Sequence, residues 1–111
     1  MTAKEYVQQI AKIDIVVKNK SFEIQKAQEI GADAKEIRNE RQQLLNTRDS
    51  IITDIEKLST AHYDVLHKVY VQGKTLYEVA AEMDKSYSYI TKLHGWALHA
   101  LNKIINANSA K

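Results

Sequence analysis

Through the first half of the chain, apolar positions recur at Tyr6, Ile10, Ile13, Val17, Ile24 and Ala27, with Lys20 on the same stripe. Alternating steps of three and four put these residues on one helical face, the seam of a heptad repeat. The run breaks at Gly31-Ala32-Asp33, where glycine suits a left-handed helix end and aspartate can cap the next helix. A second stripe follows at Ile37, Arg41, Leu44, Arg48, Ile51, Ile55 and Leu58, widened by Leu45 and Ile52. Two helices joined by so short a loop are expected to fold back antiparallel, and folding about Ala32 sets Glu23 opposite Arg41. Arg41 and Arg48 stand where apolar residues are expected. Either their stems pack while their heads reach solvent or a carboxylate on the facing helix, or the seam is shared with another protein chain. Two helices alone make a thin core, so the hairpin is expected to pack on the rest of the chain, on a second copy, or on both.

Beyond Leu58 the heptads stop and Ser59-Thr60 offers a helix start. The expected division is a helical hairpin over residues 1–58, for oligomerisation or partner contact, and a second module over 59–111. A helical face at Val65, Leu66, Val69 and Tyr70 ends at Gln72-Gly73. Thr75-Leu76-Tyr77-Glu78 has the spacing of a capping box, so a helix starts there and runs through Val79, Ala80 and Met83. Asp84 and Lys85 interrupt it. Ser86 is then a good N-cap for a last helix with Ile90, Leu93, Ala97, Leu101 and Ile104 on one face. Helix, three-residue turn and helix are the outline of a helix-turn-helix. Val79, Met83, Ile90 and Leu93 fall where its two helices bury side chains, and Ala80 falls where they cross.

The stretch VYVQGKTLYEVAAEMDKSYSYITKLHGWALHAL resembles the DNA-binding region 4 of RNA polymerase sigma factors and the LuxR-type helix-turn-helix group. The matching residues are Tyr70, Gly73, Thr75, Glu78, Val79, Ala80, Met83, Ser86, Ile90, Leu93, His94 and Leu101. The likeness covers about residues 58 to 105. It departs from the pattern at Asp84, where glycine is common, and at Lys85, where an apolar residue is common. A helical hairpin ahead of such a module is similar in layout to small regulators carried by phages and prophages of Gram-positive bacteria, including late-gene activators of the RinA and ArpU kind. The fold these resemblances imply is all-α: an antiparallel two-helix, coiled-coil-like hairpin followed by a three-helix, sigma-region-4-like helix-turn-helix. The function implied is a sequence-specific transcription regulator that binds double-stranded DNA at a phage promoter, or engages host RNA polymerase there, and switches on late genes. A homodimer on two half-sites is the expected form, because one module with few base contacts is rarely selective enough alone. No room is left for the region with which a full sigma factor melts DNA.

In that arrangement the start of the second helix enters the major groove. Tyr87, Ser88, Thr91 and Lys92 are the base-reading candidates. The hydroxyls donate or accept, Lys92 can donate to guanine O6 or N7, and the Tyr87 ring can meet a thymine methyl. Lys74, Thr75, Lys85 and Ser86 sit at helix starts suited to phosphate, with His94 a further phosphate candidate. Gly95 removes a side chain where the helix could run close to a strand. Tyr87 and Tyr89 can also be read as half-buried packing residues, and Trp96 as a core or interface side chain. Leu98 and Ile105 widen the apolar arc and are expected to receive the hairpin or a partner subunit.

Charge and composition narrow the choices. Sixteen basic against 14 acidic residues give a net +2, yet from Lys85 onward there are four Lys, two His and no acid. The last helix is therefore a one-sided basic element. No Pro and three Gly fit an all-helical chain. The absence of Cys excludes disulfides and thiolate chemistry, and a reducing cytoplasm is the expected location. No apolar run approaches the length of a membrane span, and the first ten residues do not read as a signal peptide. His62 and His67, like His94 and His99, are five apart, which points each pair to different helix faces, so no metal is expected. No cofactor is expected either. Without a nucleophile motif, a phosphate-cradling glycine loop or a paired-carboxylate pocket, the chain does not read as an enzyme. Two other readings are a polymerase- or sigma-docking accessory protein with little intrinsic DNA specificity, and a DNA-packaging protein like a terminase small subunit.

Overall fold

Helix starts and stops follow from a few residues. In a computed structural model, which describes residues 1–109, the chain forms α1 (Ala3–Glu29), α2 (Lys35–Glu56), α3 (Thr60–Leu66), α4 (Leu76–Met83) and α5 (Tyr87–Ser109). A π-helical turn, His67–Val71, continues α3. There is no strand among the described residues, so the fold is all-α. Thr2 and Glu5 exchange hydrogen bonds at the start of α1, each amide donating to the other's side chain at 3.2 Å. The same box forms at α4, where Glu78 N donates to Thr75 Oγ1 at 3.2 Å and Thr75 N to Glu78 Oε1 at 3.1 Å. Two orphan amides are satisfied at each site.

The ends of α1 and α4 use one device. Gly31 at φ 73° and Asp84 at φ 55° take the left-handed conformation. The residue after each donates back into the last turn, Ala32 N to Ala27 O at 2.8 Å and Lys85 N to Ala80 O at 3.0 Å. Asp84 thus fills a place where glycine would cost no steric strain, as short polar side chains can. Asp33 does not itself take the N-cap position of α2, which falls to Ala34; its carboxylate accepts the Lys35 amide at 3.0 Å.

α1 and α2 lie against one another with Lys20 Nζ 2.6 Å from Glu40, Arg48 Nε 2.7 Å from Asp14, and Arg41 Nη1 3.2 Å from the Ser21 hydroxyl. Arg41 therefore meets Ser21 rather than Glu23. The reversal is centred on Gly31 instead of Ala32, because the left-handed glycine that follows the α1 cap at Ile30 turns the chain. Polar pairs occupy this stretch of the seam. Ile24 and Ala34 are buried there, but outside the main core. The closed end of the hairpin accordingly stands away as an arm: the radius of gyration is 17.0 Å, against about 13 Å for a compact domain of this length.

The main core lies at the hairpin's open end. Val7 and Ile10 of α1, Ile51 and Ile55 of α2, Val65 and Leu66 of α3, Val79 of α4, and Ile90 and Leu101 of α5 are all fully buried in one cluster. Leu98 and Ile105 pack on its edge, beside the start of α1, so the hairpin does cover the widened arc of α5. Ala80 is buried beside Val79, which allows α4 and α5 to approach.

One charge is buried at this junction. Asp54 accepts from the Tyr6 hydroxyl at 2.6 Å and from Lys57 Nζ at 2.9 Å, and Asn108 of α5 is a further partner. Burial pushes the Asp54 carboxyl up, but these donors outweigh it and hold the group below the ordinary carboxylate range. Burial together with the Asp54 carboxylate raises the Tyr6 hydroxyl well above its usual value. Because the folded pKa of Asp54 lies below the unfolded one, its contribution is complete above about pH 4 and is lost as the pH falls through the folded value. Asp54→Ala should cost about 1.5 to 3 kcal/mol by denaturant titration near neutral pH. Asp54→Asn should reduce the loss of stability that the wild type shows as the pH falls from about 5 to about 2.

Candidate nucleic-acid interface

α5 carries its apolar face inward, with Ile90, Leu93, Ala97 and Leu101 buried. The rest of its circumference is left to other chemistry. Ser86 caps it, accepting the Tyr89 amide at 3.1 Å, which leaves the hydroxyl hydrogen free to donate. Ser88, Thr91 and Lys92 are exposed on the first two turns. Thr91 donates its hydroxyl hydrogen to the Tyr87 carbonyl at 2.9 Å. It therefore presents an acceptor outward, the complement of an adenine N6 or cytosine N4 amino group. Tyr87 stacks on Tyr77 of α4, ring centroids 4.1 Å apart and planes within 8°, so its ring is held on α4 with one edge open. The three residues Asp84, Lys85 and Ser86 connect α4 to this surface.

The structure separates the phosphate candidates. Lys85 and Ser86 lie exposed at the start of α5. Thr75 is engaged with Glu78 in the capping box. Lys74 is paired with Glu82, which also lies 3.5 Å from Lys68, itself 2.6 Å from Asp64. This chain of alternating charges ties the π turn to α4. His94 is half-buried, its Nε2 2.8 Å from the Tyr70 hydroxyl and its ring stacked on Tyr70 at 5.7 Å. Two residues past Lys92 it lies about half a turn round the helix, against the π turn. Among the described residues, Lys85, Lys92 and Lys103 form no ion pair. Lys111, the last of the four lysines, lies outside the described residues.

Two features of this surface were not legible as such. Trp96 is 53% exposed, so it is not a core residue, and Tyr89 meets it edge-on at 6.4 Å. The signal was available in the seven-residue interval between them, two helical turns on one face. Gly95 is exposed, and a Cβ built there meets nothing within 4 Å. No intramolecular contact requires glycine in the middle of α5.

The imidazoles do not converge. His67 Nδ1 is 2.9 Å from the Gln72 amide, His94 faces Tyr70, and His99 is exposed. No group of three His, Asp or Glu side chains suited to a metal ion occurs among the described residues. None of their helices is long and apolar enough to cross a membrane. Comparison with protein families, curated proteins and solved structures gives no match for this chain.

Two outcomes follow for this surface. Burial, aided by Lys4, lowers the His94 pKa. The unfolded chain therefore binds a proton there more readily than the folded one, and stability falls as the pH drops through the unfolded histidine value of about 6.5. His94→Gln should flatten the loss of stability between about pH 7.5 and about pH 5.5, measured by denaturant titration. Gly95→Ala should stabilise the chain by about 0.5 to 1 kcal/mol, read as a higher denaturation midpoint.

Proposed function

We propose that the chain is a sequence-specific, double-stranded-DNA-binding transcription regulator in which α4, the Asp84–Ser86 turn and α5 act as a helix-turn-helix of the sigma region 4 type. The observation that carries this reading is the outward surface of the first turns of α5. Ser88, Thr91 and Lys92 are exposed there, beside the exposed Lys85 and opposite the buried Ile90 and Leu93. Hydrogen-bonding groups on the start of a helix that follows a tight turn are what major-groove readout uses. The likeness of residues 58 to 105 to sigma region 4 and LuxR-type modules supports it. Gly95 supports it too, since an open helical position without a side chain lets a phosphate strand approach the backbone.

In this reading Ser88, Thr91, Lys92 and the open edge of Tyr87 meet base edges, while Lys85 and Ser86 hold phosphates. Lys74 contributes only if its pair with Glu82 opens, and His94 supports α5 from below through Tyr70. The arm formed by α1 and α2 carries Ile15 and Phe22, 63% and 59% exposed, on one face two turns apart. It serves to join two copies or to contact host polymerase. One module with few base contacts gives modest selectivity, and a dimer on two half-sites restores it. The RinA- and ArpU-like layout supports a phage or prophage promoter as the site of action.

Selection from a pool of random duplexes, retained by the protein at two salt concentrations and sequenced, tests the proposal. The expected result is one motif, an inverted repeat with half-sites about one helical turn apart. Lys92→Ala should then weaken binding to the selected site by about 1 to 3 kcal/mol while binding to unrelated duplex changes less. Retention without a motif, lost at the higher salt, would leave only the phosphate contribution and overturn sequence reading.

A further inference from the structure

Lys85, in the turn that leads into α5, and Tyr89, Lys92, Trp96, His99 and Lys103 of α5 follow one another at steps of four and three. The five on α5 form a line about 21 Å long, which Lys85 extends. Every one of them is exposed. Tyr89 and Trp96 keep 40% and 53% of their surface open, although large rings ordinarily find cover in a core. The first part of the line is joined by contacts. Lys85 Nζ lies 5.8 Å from the Tyr89 ring centre, and the Tyr89 and Trp96 rings meet at 81° with centroids 6.4 Å apart. No acidic residue occurs from Lys85 onward, and among the described residues the three lysines have no carboxylate partner. Cations along one line with open rings between them call for a flexible polyanion that carries flat apolar groups.

We infer that this stripe binds single-stranded DNA, with its phosphates on Lys85, Lys92 and Lys103 and its unpaired bases on the rings of Tyr89 and Trp96. Ring faces recognise bases that are free to unstack, which a duplex does not offer. A protein partner is the poorer match, because lysine is depleted at protein interfaces whereas half of this line is lysine. The strand is taken as DNA because the stripe shares Lys92 with the surface proposed for duplex DNA, and in that one respect the inference rests on that reading.

Trp96 is the only tryptophan, so its fluorescence reports the stripe directly. The purified chain is titrated with a thymidine oligonucleotide, a uridine oligonucleotide, a hairpin duplex and poly-glutamate. The expected result is saturable quenching by the thymidine strand, with the logarithm of the affinity falling against that of salt with a slope of about 2 for three phosphates. By anisotropy with labelled strands, Trp96→Ala should lose about tenfold in single-strand affinity, the scale of one stacked base, and leave duplex affinity unchanged. Lys103→Gln should keep the quenching but lower the salt slope by about 0.7. Both positions are exposed, so an unchanged helical circular dichroism spectrum shows that the variants fold. The inference is overturned if the thymidine strand neither quenches nor binds, whatever the duplex does. It is equally overturned by an equal loss for single strand and duplex, by quenching with poly-glutamate at similar strength, or by tighter binding of the uridine strand. Single-strand binding without duplex binding would uphold the stripe and reject the helix-turn-helix reading, so the two are separable.

Discussion

The arrangement depends on one constraint: the short helices α3 and α4 and the inner face of α5 bury their apolar residues only by using the open end of the α1–α2 hairpin. Of the nine fully buried large side chains among the described residues, four come from the hairpin, Val7, Ile10, Ile51 and Ile55. Each such side chain contributes about 1.5 to 3 kcal/mol on burial. The change of pattern near Ser59 marks a change in the chain's direction, while the core passes across it. Asp54 stands at the same junction, joining α1 through Tyr6 and α5 through Asn108, and its carboxylate is tolerated because donors surround it.

That shared core decides which surfaces remain for function. With Ile90, Leu93, Ala97 and Leu101 turned inward, α5 presents its lysines and open rings outward. Of the acidic residues that precede it, Asp64 and Glu82 are engaged in the α3–α4 network and Glu78 in the capping box, while Asp84 forms the left-handed end of α4. The cations of the π turn and of the α4 start are neutralised locally, whereas those of α5 are not. Positive charge is thereby concentrated on one helix although the chain's net charge is only +2. At the other end, polar pairs replace apolar ones along the arm, which holds two helices together without a deep core.

Much of the fold was legible because local rules and the apolar pattern agree. The two seams, the glycine and aspartate helix ends, the Thr75–Glu78 box and the inward face of α5 all follow from spacing and cap chemistry. The register of the hairpin was not. A shift of the reversal from Ala32 to Gly31 leaves the apolar stripes facing one another yet changes the polar partner of Arg41. Long-range polar contacts escaped for a related reason: Tyr6 with Asp54, and Tyr70 with His94, join residues 48 and 24 apart, and no periodicity encodes such pairs. At the candidate interface, exposure of Ser88, Thr91 and Lys92 follows from the helical period. The engagement of Lys74 by Glu82 and the exposure of Trp96 depend on how α4 and α5 pack.

The most direct measurement is a backbone amide map, by nuclear magnetic resonance, of the chain titrated with its selected duplex. The account predicts that the largest changes fall on the outward positions of the first half of α5, Ser88, Thr91, Lys92 and Gly95, with the arm near Ile15 and Phe22 unaffected by DNA contact. Changes centred on the arm, or none on α5 at saturating duplex, would contradict it.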